Sequence, residues 1–138
     1  MFQGLYEMRY LLDTQIVVWF FEENKKKLPE HIFKIIKDQD NIIYLSWISL
    51  YEVAIKKNLG KVITDLTLNE LYILISESPI NLIQINLDQL NTYVDLPYIH
   101  GDPYDRLLIS TAITKRLSFI TSDEKIHQYK EIECVWKT

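Results

Sequence analysis

Cysteine, glycine and proline are scarce in this chain of 138 residues: one Cys, three Gly and four Pro. With Cys134 alone, no intrachain disulfide can form, and such usage suits a reducing cytoplasm. Cys134 lies in a short apolar run and reads as core packing. Three glycines exclude a glycine-rich phosphate loop, and so few Gly and Pro leave little room for flexible linkers. No apolar run reaches the length of a membrane span. There is no basic excess either. The net charge is −4, which taken alone argues against a nucleic-acid-binding surface. The three histidines, His31, His100 and His127, have neither HExxH nor zinc-ligand spacing, and no Ser has a GxSxG context. Asp13-Thr14 lacks the second acid, two residues on, of an aspartyl-phosphate phosphatase. Residues 1–7 show no basic segment followed by an apolar stretch, so no signal peptide is expected. They read as an N-terminal extension or an upstream start, with residues 8–138 forming one domain.

What is present is an alternation. Short apolar runs at Arg9–Leu12, Ile42–Leu45, Leu82–Ile85, Ser118–Thr121 and Cys134–Trp136 read as strands. Between them lie helical patterns at 16–21, from Pro29 to Lys37, from Ser46 to Asn58 with Gly60 near its end, at 68–77, at 87–96, and from Asp102 to Arg116. Glu124 to Tyr129 gives one or two further turns. In the Ser46 helix, Ile48, Tyr51, Ile55 and Leu59 form the expected apolar face, with Glu52 beside it. Such alternation predicts an α/β fold: a central, mostly parallel sheet of four to five short strands flanked by helices.

The stretch from His100 to Ile109, HGDPYDRLLI, is the most informative. Pro103 suits a first helical position, which makes Asp102 the N-cap and puts Asp105 in the first turn. Asp105 then heads a face continued by Leu108, Ile109 and Ala112, where a carboxylate is costly unless a cation meets it. A cap and a favourable helix dipole explain this stretch by itself. Three other acids have similar local explanations. Asp13 could begin a turn, Ser49 and Glu52 match a capping box, and Asp123 could cap the turns after it. Their common position is harder to explain that way. Asp13 and Asp123 directly follow strands, while Glu52 and Asp105 lie near the starts of helices. All four therefore fall on the rim at the carboxyl ends of the strands, where α/β folds build sites. Clustered carboxylates repel, and their natural partner is a hard divalent cation such as Mg²⁺ or Mn²⁺, which most often serves phosphoryl chemistry. Bound ions would also offset the acidic charge where a phosphate approaches. Lys25 to Lys27, and Lys56, Lys57 and Lys61, are local basic clusters that read by default as solvated faces.

Four motifs in order, RYLLDT from Arg9, SLYEVAIK from Ser49, the HGDPYDRLLI stretch and TSDEK from Thr121, resemble the PIN-domain ribonucleases, most of all the VapC-type toxins of bacterial toxin–antitoxin pairs. The resemblance runs over nearly the whole chain from Met8. It implies an Mg²⁺- or Mn²⁺-dependent RNA endonuclease with one or two ions per site, acting as a homodimer and inhibited by a small cognate antitoxin. It carries the family's metal-site acids onto Asp13, Glu52, Asp105 and Asp123, and its supporting hydroxyls onto Thr14 and Thr121. His100, Asp102 and Arg106 match a subfamily motif in supporting roles, Asp102 as a residue behind the ligands or as the N-cap alone. Gln15 departs from the His common after the Asp-Thr pair in that subfamily. A housekeeping RNA-processing nuclease would use the same residues, and a catalytically silent PIN-like binding module is the reading from a different class.

Overall fold

The computed structural model describes residues 8–137, so the extension read at residues 1–7 lies outside it. Five strands, β1 (Arg9–Leu12), β2 (Ile42–Ser46), β3 (Asn81–Ile83), β4 (Ser118–Ile120) and β5 (Cys134–Val135), form one sheet in the order β3-β2-β1-β4-β5. Every pairing is parallel. Six helices flank it: α1 (Thr14–Phe21), α2 (Glu30–Lys37), α3 (Trp47–Asn58), α4 (Leu68–Ser76), α5 (Leu87–Val94) and α6 (Pro103–Lys115). The turns expected after Glu124 form as a turn closed on the Asp123 carbonyl that leads into a short 3₁₀ helix, Ile126–Gln128.

Because successive strand residues point to opposite faces, Leu11 and Leu12 enter different cores, as do Phe119 and Ile120. Leu12 and Ile120 join Ile16, Leu28, Ile32, Leu50 and Ile75 on the side of α1–α4. Leu11 and Phe119 join Leu108, Ile109, Ala112 and Tyr129 on the side of α6. A sheet covered on both faces needs continuous apolar strands, and that is why the short runs were legible. Cys134 is half-buried and packs against the second core, as expected. Among the described residues no helix is long and apolar enough to cross a membrane.

Two expectations need correction. The strand expected at Leu82–Ile85 is Asn81–Ile83, because Asn86 leaves the sheet to cap α5, accepting the N–H groups of Asp88 and Gln89. The apolar face assigned to α3 is wrong except for Ile48. Tyr51, Ile55 and Leu59 are 49%, 45% and 64% exposed, while Ser49, Leu50, Glu52 and Val53 are buried. A count of apolar residues alone missed the inward face, since two of its members are polar and find polar partners there.

Candidate functional site

The chain reverses direction across the sheet at β1. The β1–β2–β3 half builds outward on one side, and β4 returns to pair with the other edge of β1. Such a switch point leaves a crevice at the carboxyl ends of the strands. Asp13 is the residue after β1 and Asp123 follows β4 by three positions, with Thr121 between.

Each acid is held by named partners. Asp13 N-caps α1, its Oδ1 accepting the Thr14 N–H at 2.8 Å, while Oδ2 accepts the Thr121 hydroxyl at 2.6 Å. The same Thr121 oxygen accepts the Asp123 N–H at 3.1 Å, so one hydroxyl ties two acids together. Glu52, only 6% exposed, accepts the Thr14 hydroxyl at 2.7 Å on Oε1. The Thr14 oxygen also lies 2.9 Å from Ser49 Oγ. The other Glu52 oxygen, Oε2, receives Lys56 Nζ. Asp102 is the N-cap of α6, accepting the N–H groups of Tyr104 and Asp105 at 2.8 and 3.2 Å. His100 Nε2 donates to Asp123 Oδ2 at 2.9 Å and lies 3.0 Å from Asp105 Oδ2. One donor atom from each of His100, Asp105 and Asp123 falls within 4.8 Å of the others.

Asp13, Glu52, Asp105 and Asp123 thus come close enough to act on one another's charge. Burial pushes the Asp105 carboxyl up to about 8, and the charges of Asp13, Asp102, Glu52 and Asp123 push the same way. Burial likewise carries Asp13 to about 6, against hydrogen bonds from Thr121 and Thr14 that hold it down. Asp123 differs. Burial raises it, but the bonds from His100 and the Lys125 N–H outweigh that and leave it below its usual range. Burial lowers the Lys56 ammonium, and its bond with Glu52 outweighs this and raises it. Asp13 and Asp105 are thus held above the usual carboxylate range and Asp123 below it, a divergence that arises from their being brought together at one edge of the sheet.

The local explanations therefore hold only in part. Asp13, Asp102 and Asp123 all bond backbone N–H groups, and Asp102 is a true cap. Ser49 and Glu52 form no capping box. The N-cap of α3 is Ser46, whose Oγ accepts the Ile48 N–H, so both lie inside the helix. Lys25, Lys26 and Lys27 are exposed as expected, but Lys56 is drawn into the site.

Arg106 does not reach the acids. Its guanidinium, 5% exposed, donates to the carbonyls of Leu96, Pro97 and His100 and contacts the Tyr129 hydroxyl. Replacing it with Ala should remove about 2–4 kcal/mol of stability by stranding buried carbonyls. Urea denaturation checks this, and an unchanged midpoint would refute it.

Ser49, Lys56 and Tyr129 were missed from the sequence. Lys56 was readable as the i+4 partner of Glu52. Ser49 could have been found once Ser46 was taken as the cap, because it then shares an inward face with Glu52 and Val53. Tyr129 carries no local signal, since its partners lie about thirty residues away.

Comparison with curated protein sequences gives no match. Solved structures of similar fold include the VapBC2 complex of Rickettsia felis bound to a promoter DNA fragment, at TM-score 0.71 and 20% identity over 94% of this chain and 99% of that one. VapBC-1 of nontypeable Haemophilus influenzae aligns at TM-score 0.66 and 18% identity, over 92% and 96%. A toxin–antitoxin complex from Klebsiella pneumoniae aligns at 0.56 and 20%, over 89% and 94%. At such identities these likenesses speak for the fold alone. The family model for the PIN domain matches residues 10–132, a span that holds β2, β3 and β4, all but the first residue of β1, and all four rim acids, and the chain belongs to the PIN-domain family.

Proposed function

We propose that this chain is a divalent-metal-dependent RNA endonuclease and the toxin of a toxin–antitoxin pair. The observation that carries the reading is the gathering of Asp13, Glu52, Asp105 and Asp123 at one edge of the sheet, close enough that the other three act on the charge of Asp105, which burial and these neighbours raise to about 8. Against these four acids stands the ammonium of Lys56, on the far oxygen of Glu52.

The donor set fits a hard divalent ion. It is rich in carboxylate oxygen, the ligand type that Mg²⁺ and Mn²⁺ prefer. Asp13, Glu52, Asp105 and Asp123 would hold one or two ions. Bound there, the metal supplies a more acidic water and charge stabilisation on the phosphate. The protein's own groups supply order. Thr121 and the Thr14 N–H fix both oxygens of Asp13, Thr14 turns Glu52 toward α1, and His100 holds Asp123.

The toxin assignment draws on the likeness to solved toxin–antitoxin complexes. It implies a small cognate antitoxin as partner, a homodimer as the working form, and a place in the cytoplasm. Expression of the chain alone should arrest growth of a bacterial host, and Glu52→Gln should relieve the arrest. A wild type that is harmless at high expression, yet cleaves RNA when purified, would leave a housekeeping nuclease instead.

A further inference from the structure

The segment from Leu96 to His100, which brings His100 to the rim, is gripped from two other elements. The Tyr129 hydroxyl accepts the N–H groups of Ile99 and His100 at 3.2 and 2.9 Å and donates to the Pro97 carbonyl at 2.8 Å. Arg106, from α6, donates to the Leu96, Pro97 and His100 carbonyls at 3.1–3.2 Å. Its guanidinium lies 5.0 Å from the ring centre of Tyr93 and 4.5 Å from that of Tyr98. Tyr129 itself is 1% exposed, so this grip is built into the second core.

The consequence falls on the His100 ring. The Asp102 N–H points at Nδ1 at 3.1 Å, so Nδ1 must offer its lone pair. The ring hydrogen then sits on Nε2, facing Asp123 and Asp105. Spacing alone would make His100 a metal ligand beside those two acids. Ligation, however, needs a lone pair on Nε2, and the hydrogen would have to move to Nδ1, against the Asp102 N–H.

We infer that Tyr129 is a positioning residue of the site: with Arg106, its hydroxyl seats His100 as an Nε2–H donor to Asp123, beside Asp105, rather than as a metal ligand. This rests on the metal-site reading above, and its primary test needs neither metal nor RNA. Isotope-labelled histidine in the metal-free protein reports the tautomer by nitrogen NMR. The wild type should show His100 protonated on Nε2, and added Mg²⁺ should leave it so. Tyr129→Phe keeps the ring in the core and removes only the hydroxyl. It should turn the His100 signal toward a mixture of tautomers and weaken Mn²⁺ binding by about 10- to 100-fold. Arg106→Lys loosens the same grip from α6 and takes its place if Tyr129→Phe does not fold.

A wild-type ring protonated on Nδ1 overturns the inference. So does directly bound histidine nitrogen in the electron paramagnetic resonance of the Mn²⁺-loaded protein, or a folded Tyr129→Phe with the wild-type tautomer and affinity. If the wild type binds no Mn²⁺, the proposed function fails, while the tautomers of wild type and Tyr129→Phe still decide the role of Tyr129.

Discussion

Replacing Asp105 with Asn is expected to cut RNA cleavage by at least about a hundredfold while making the metal-free protein melt at a higher temperature in mildly alkaline buffer. The two effects share one cause. Asp105 is raised to about 8 because burial and four neighbouring acids oppose its charge. Its ionised form is therefore a burden on the empty protein and an asset only when a cation is present. Asn keeps the shape and removes the charge, so it relieves the repulsion and loses the ligand. A simple helix dipole partner would behave in the opposite way: its removal would cost stability and leave cleavage alone. Cleavage assays of purified wild type and Asp105→Asn, with melting curves in chelator, measure both effects. Full cleavage by the variant, or clear destabilisation in chelator, would return Asp105 to a structural role.

Without metal, stability should fall as pH rises from about 4 to about 8, and Mn²⁺ should restore most of what is lost. Asp13 and Asp105 have folded values of about 6 and about 8 against an ordinary value of 3.8, so the folded state binds more protons than the unfolded one in that window. Stability from groups of this kind is fully present below the unfolded value and is lost as pH passes through the folded values. Asp123, held low, acts with the opposite sign: its contribution disappears only in more acid solution, as pH falls below its ordinary value. The two raised acids act in the same direction, so the melting temperature should fall by at least roughly 10 °C across the window. A divalent ion that binds only the assembled site opposes this fall, by about 2.7 kcal/mol at a hundred times its dissociation constant. Thermal melts across this pH range, in chelator and with Mn²⁺, check the expectation. A flat profile in chelator, unchanged by Mn²⁺, would contradict it.

The sequence by itself determined the frame of this protein. Apolar runs such as Leu11-Leu12 and Phe119-Ile120 must be buried on both faces, so they had to be strands of a covered parallel sheet. Local chemistry fixed the start of α6, because Pro103 opens a helix without an N–H to lose and Asp102 caps it. The positions of Asp13 and Asp123 followed from where their strands end. The tertiary structure alone decided what those acids meet. Glu52 and Ser49 lie on an inward helical face that hydrophobic periodicity assigned elsewhere, because Thr14 reaches both across the fold, while Lys56 meets Glu52 from the next turn of its own helix. The orientation of His100 depends on Arg106 and on Tyr129, twenty-nine residues along the chain. Periodicity and caps are short-range properties that the chain writes locally. Charge repulsion between four acids, and a hydroxyl that reaches a distant backbone, exist only once the sheet has brought separate segments to one edge.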